Sequence, residues 1–211
     1  MKKSAFIIAI GFLMAFSACT PPVTFDQPQP ANRSSLTGIP SRLQGEYQSL
    51  KDNSLLTINQ RAILRIYDYD LKTNVSELDS NYKLSGDSVT DLGDNVKTAI
   101  IREGDSLIMH IHSVDTLFLL SDENVLKKFK GYYFLNMLYQ KSGWEVKKLG
   151  LEKGHLTISS INAKEEIGLL KSCSESESDT IPYKFRPTKK QFRKFINAQG
   201  FSNDEVFVRL K

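Results

Sequence analysis

Residues able to do chemistry fall in a few separate places along the 211-residue chain. His110 and His112 stand two apart in "MHIHS". On a strand, residues two apart project from one face, so the two imidazoles would lie side by side. A zinc or copper site is built from such a pair when a neighbouring strand supplies a third ligand. Asp115 and His155 are the only nearby candidates for that role, and no second spaced ligand pair exists. The plainer reading makes the histidines the polar side of a hairpin that buries Leu107, Met109 and Ile111. Asp68 and Asp70 of "IYDYDL" share a strand face by the same argument. Two carboxylates so placed can share a proton or hold calcium, or can form the solvent side of a strand opposite Tyr67 and Tyr69.

The serines are numerous, but none lies in a G-x-S-x-G nucleophile elbow. No catalytic set is therefore expected, and no cofactor. Cys173 occurs in "KSCSESESDT", which reads as a solvated acidic loop in which a free thiol could oxidise or pair. Directly after Glu175, Glu177 and Asp179 come Lys184, Arg186, Lys189, Lys190, Arg193 and Lys194. On a helix, Lys190, Arg193 and Lys194 form one cationic face, suited to anionic lipid, a glycan or an acidic envelope protein. The whole chain carries a formal charge of +4, or +2 with Lys2 and Lys3 set aside. That is too little for a nucleic-acid partner, which needs a concentrated basic surface.

The elements that must position these residues begin with an address. Met1-Lys2-Lys3 is followed by an apolar run from Ala5 to Phe16 and then by Ser17-Ala18-Cys19. A positive start and a short apolar core are the pattern of a secretory signal, and the run is too short to span a bilayer. Phe16-Ser17-Ala18-Cys19 resembles the lipobox that ends the signal peptide of bacterial lipoprotein precursors, with Phe16 where Leu is commoner. The resemblance implies a signal peptide over 1–18, diacylglycerol on the Cys19 sulfur and an acyl chain such as palmitate on the new amino group. Two or more chains make anchoring stable, where one is marginal. In this light the membrane is the first partner, and the lack of an acidic cluster after Cys19 favours the periplasmic leaflet of the outer membrane. An ordinary secreted chain, or a Cys19–Cys173 disulfide, is the alternative. Residues 19–40 hold five prolines and few large apolar groups, which predicts a lipidated, extended tether.

Beyond residue 40, apolar runs alternate with turn signals every eight to twelve residues. Turns are expected at Glu103-Gly104-Asp105, Ser113-Val114-Asp115, Lys141-Ser142-Gly143 and Glu152-Lys153-Gly154. In "WEVKKLGL" the apolar residues change face between Val146 and Leu149, which predicts a bulge near Lys147-Lys148. "LQGEY" at 43–47 and "FKGYY" at 129–133 each set Gly two residues before Tyr and resemble the G-x-W or G-x-Y opening of lipocalin-like barrels. The two matches divide the body into β units at 41–120 and 121–211, with "SDENVLKKF" as a helical connector.

Thr188 and Gln191 make a capping box ahead of Phe192, Phe195 and Ile196, with Gly200 as the stop. A last strand over 205–210 should place Val206, Val208 and Leu210 together. The expected fold is mainly β, as antiparallel meander sheets or a barrel, with one C-terminal amphipathic helix packed on it. The expected function is a non-enzymatic, membrane-anchored envelope lipoprotein acting as a binding or accessory module. The alternatives are a lipocalin-like carrier whose apolar ligand meets Tyr47, Tyr133 and Trp144, and a metal-dependent hydrolase at His110 and His112.

Overall fold

Short alternating runs punctuated by turns give strands along most of the chain in the computed structural model, which describes residues 21–140, 143–178 and 180–210. In order they are β1 (Val23–Phe25), β2 (Gly45–Ser49), β3 (Leu55–Ile58), β4 (Ala62–Asn74), β5 (Tyr82–Ser85), β6 (Ser88–Asp91), β7 (Lys97–Ala99) and β8 (Ile101–Glu103). Then follow β9 (Ser106–Leu119), β10 (Asn124–Phe129), β11 (Tyr132–Tyr139), β12 (Gly143–Glu152), β13 (His155–Ser160), helix α1 (Ala163–Cys173), β14 (Tyr183–Phe185), helix α2 (Lys189–Asn197) and β15 (Asn203–Arg209). The fold is mainly β, as expected, but it carries two α-helices and is not closed into a barrel. Residues 67–113 form one compact unit, and of the described residues 21–66 and those from Val114 onward form the other. The second boundary lies not at residue 120 but within β9, which runs unbroken through Ser113-Val114-Asp115 where a turn was expected.

In the larger unit the strands run β10-β11-β12-β13-β15-β2-β3-β4, each antiparallel to its neighbour where the register is resolved. The segment before β2 meets both ends of this series. Leu36 N–H donates to the Leu126 carbonyl on β10 at 2.7 Å, and Ile39 N–H to Gln60 in the β3–β4 turn at 2.8 Å. "SDENVLKKF" is not a helix, since β10 pairs with β11 from Asn124–Met137 to Phe129–Tyr132.

Two cores explain the apolar run "YYFLNML" in β11. Tyr133 and Leu135 enter one core with Tyr47, Leu56, Leu149 and Phe207. Phe134, between them in sequence, enters the other with Phe25, Val146, Phe192, Phe195 and Phe201. A strand buried on both faces needs no polar alternation. The same cause removes the expected bulge: β12 holds continuous register with β11 from Gly143 to Leu149, with Val146 in one core and Leu149 in the other. The second core is largely aromatic, with Phe134 and Phe192 edge to face at 5.1 Å between ring centres.

Residues 21–40 are not an extended tether. Val23, Thr24, Phe25, Gln29, Ala31 and Ile39 are all buried, and β1 pairs antiparallel with β12 and parallel with β14. Proline lacks an N–H, so a buried proline-rich stretch presents acceptors that outnumber its donors. The donors come from elsewhere. Lys127 Nζ donates to the Pro28 and Pro30 carbonyls at 2.8 and 3.2 Å, and Asn136 Nδ2 donates to the Gln29 carbonyl at 3.0 Å. Burial lowers the Lys127 pKa.

Helix α2 starts at the expected capping box, with Gln191 N–H donating to Thr188 Oγ1 at 3.3 Å and Thr188 N–H to Gln191 Oε1 at 2.7 Å. Its end is set by Gln199 at φ 64° rather than by Gly200. Gly200 serves a different need, because a Cβ there would stand 2.5 Å from the Phe195 ring. Helix α1, unforeseen from the sequence, takes in only Lys171 to Cys173 of the supposed acidic loop and buries Cys173 at its last residue, while Glu175 and Glu177 beyond it are exposed. Glu166 holds its start to the rest of the unit, accepting from Asn162 N–H at 2.6 Å and Ser202 N–H at 3.0 Å. Burial raises the Glu166 pKa against the pull of those bonds. In β15 the inward side chain is Phe207, fully buried, while Val206 and Val208 are half-buried and Leu210 is exposed. The face opposite Val206 and Val208 is thus the one turned into the core.

In the smaller unit, β5, β6 and β7 form an antiparallel sheet with Gly86 at φ 60° in its first turn. Val89, Ile100, Leu107 and Met109 make its core, with Leu71, Tyr82 and Leu84 packed around them. β8 and β9 form the hairpin expected at Gly104.

Candidate functional site

The two same-face pairs seen in the sequence, His110 with His112 and Asp68 with Asp70, form one cluster in the smaller unit. They lie on β9 and β4, which are neighbours in the sheet. His110 Nδ1 is 3.0 Å from Asp70 Oδ1, and His112 Nδ1 is 3.1 Å from Asp68 Oδ2. Asp68 is shared, its Oδ1 lying 3.6 Å from His110 Nε2. The sequence carried both spacings but not the register that joins residues 40 positions apart. All four side chains are more than half exposed, so each pair contributes at most about 1 kcal/mol. Among the described residues no group of three or more histidine, cysteine or carboxylate side chains converges as a metal site. Asp115 and His155, the other proposed ligands, belong to the larger unit.

Tyr47 and Tyr133, the tyrosines of the two G-x-Y matches, meet in one core, each behind a glycine at positive φ (Gly45, 130°; Gly131, 84°). Both rings are covered by arginine. Arg42 lies over Tyr133 at 5.1 Å from the ring centre and Arg209 over Tyr47 at 4.9 Å. The Tyr47 hydroxyl donates to the Leu43 carbonyl at 2.8 Å and accepts from Arg209 Nη2. Trp144 is half-buried against the aromatic core on the other side of the sheet. The three residues expected to line one ligand cavity are therefore split between two packed cores.

A pocket of about 220 Å³ lies at a different place, between β1, β12 and the ends of β13 and β15. Pro21, Pro22, Val23, Val146 and Ile161 supply its apolar wall, and Glu145, Lys147, Ser160 and Asn203 its polar rim. Lys147 and Glu145 are paired at 3.6 Å. On α2, Phe192 and Phe195 are buried, whereas Lys190, Arg193 and Lys194 are exposed. Cys19 and the signal segment lie outside the described residues. Comparison of the chain with protein-family models, curated proteins and solved structures returns no match in any of the three.

Proposed function

We propose that the protein is a lipoprotein of the cell envelope, anchored through acylated Cys19 and acting as a non-enzymatic binding or accessory module. The observation that carries this reading is the order of features at the N-terminus: Lys2-Lys3, the apolar run to Phe16, then Ser17-Ala18-Cys19. The outer membrane, periplasmic leaflet, is the location it favours. Among the described residues no helix is long and apolar enough to cross a membrane, so in this reading attachment rests on the acyl chains. The rings that a lipocalin-like carrier would use, Tyr47 and Tyr133, are filled against Arg209 and Arg42, which supports a module acting through its surface. The exposed face of Lys190, Arg193 and Lys194 is the part suited to an acidic protein or glycan partner.

Mass spectrometry of the mature N-terminus tests the anchor. A diacylated or triacylated Cys19 is the expected species, and an unmodified terminus at or after Cys19 rejects the reading. Cys19→Ser should move the protein from the membrane to the soluble fraction.

A further inference from the structure

We infer that the patch of the larger unit formed by Pro21–Pro22 and Thr180–Tyr183 lies directly on the lipid headgroups, with Ile181 as its inserting side chain. The inference rests on the acylated Cys19 of the proposed function. Its own support is the short chain between that residue and the fold. Pro21 is already buried, so only Thr20 separates the anchor from packed structure. Two residue steps reach at most about 7 Å. The headgroup layer is itself about 5–8 Å thick on each side of the hydrocarbon. Pro21 is thereby held at headgroup depth, together with whatever stands beside it.

What stands beside it is fixed by the β1–β14 pairing. The two strands are parallel, with Val23 opposite Tyr183, so the residues preceding both leave from the same end. Tyr183 N–H donates to the Pro22 carbonyl at 3.0 Å. Ile181, two residues before Tyr183, is 63% exposed, a large apolar side chain beside the point where the anchored chain enters the fold. Lys171 lies over the Tyr183 ring at 5.4 Å, and Lys147 lines the pocket beside Pro21. A ring with a cation above it and an apolar tip nearby suits the boundary between hydrocarbon and anionic headgroups. Of the carboxylates there, Glu145 and Glu177 are each paired with a lysine, Lys147 and Lys184, and Asp179 stands two residues before Ile181 in the sequence. β1, like β13, runs antiparallel to β12, with Phe25 towards the Gly143 end, so Pro21 stands level with the middle of β12, and Leu210 is about 20 Å away along β15 from Asn203 on the pocket rim.

The test places a fluorophore at this patch, and another at the distant Leu210, of the full-length, lipidated protein. Ile181→Cys and, separately, Leu210→Cys are labelled with a nitrobenzoxadiazole dye, Cys173 being buried and Cys19 acylated. Each is reconstituted into vesicles of phosphatidylethanolamine and phosphatidylglycerol containing a lipid with a nitroxide high on its acyl chain. Mass spectrometry of the same preparations reports the state of Cys19. The expected result is a blue shift and loss of emission at 181, with emission at 210 unchanged. Acylated Cys19 with both positions unquenched, or with 210 quenched in place of 181, overturns the docking face and leaves the anchor standing. An unmodified Cys19 overturns both.

Discussion

Arg42 lies across the ring of Tyr133 and its Nε donates to the Tyr133 hydroxyl at 3.0 Å. Tyr47 is bound more deeply, its hydroxyl donating to the Leu43 carbonyl while Arg209 covers its ring. Removing the two hydroxyls should therefore have unequal effects. Tyr47→Phe leaves a carbonyl without its donor and should destabilise by about 1–2 kcal/mol, whereas Tyr133→Phe loses a half-exposed bond and should stay under about 1 kcal/mol. Urea unfolding of both variants checks the order, and equal midpoints would contradict it.

Two glycines should respond oppositely to alanine. A Cβ at Gly200 meets the Phe195 ring at 2.5 Å, while one at Gly168, inside α1, meets nothing within 4 Å. Gly200→Ala should lower stability by about 1–3 kcal/mol through overpacking. Gly168→Ala should raise it by about 0.5–1 kcal/mol through helix propensity. Thermal melts of the pair provide the measurement.

Asp52 gives acid sensitivity. Its partial burial works to raise its pKa, but bonds from Ser54 and Ser49 and the charge of Arg65 outweigh it and bring the value down from 3.8 to about 2. A carboxylate depressed in the folded state contributes stability above its unfolded pKa, and that contribution is lost as pH falls from about 4 to about 2. Because solvent reaches the side chain, the contribution is about 1 kcal/mol. Asp52→Asn should be less stable than the parent at pH 6 and should converge with it near pH 2, as read by urea unfolding across that range.

Lys127 holds the proline-rich segment through the Pro28 and Pro30 carbonyls. Lys127→Met keeps the apolar stem but removes a charged donor, and should cost about 2 kcal/mol. The loss should appear locally as well. Limited proteolysis is expected to cut between residues 26 and 35 earlier than in the parent, and an unchanged cleavage pattern would contradict the role given to Lys127.

Local signals read well wherever one backbone neighbourhood decided the outcome. The α2 capping box and the hairpins at Gly104 and Gly154 needed only a few adjacent residues. Errors came where distant partners decided. The prolines of 21–40 argued for an extended chain, but donors from Lys127 and Asn136, about a hundred residues away, bury them. The alternation in β15 sets Val206 and Val208 opposite Phe207, and only the packing shows that Phe207 is the side chain that fills the core. β12 was given a bulge because period-two reasoning assumes one dry face, and this strand has two. The histidine and aspartate pairs were visible separately, and only the β4–β9 pairing made them one cluster.

The position of β1 also sets an order of assembly. Its partners are Trp144 and residues 183–185, so the strand nearest Cys19 finds its place only after most of the chain is available to receive it. Contacts of such sequence separation form slowly, since a long loop must close before they contribute. β1 thus stays unpaired until β12 and β14 have been made. Under the proposed lipoprotein reading, that interval is when enzymes that must grip an extended chain would acylate Cys19, before β1 is drawn into the fold.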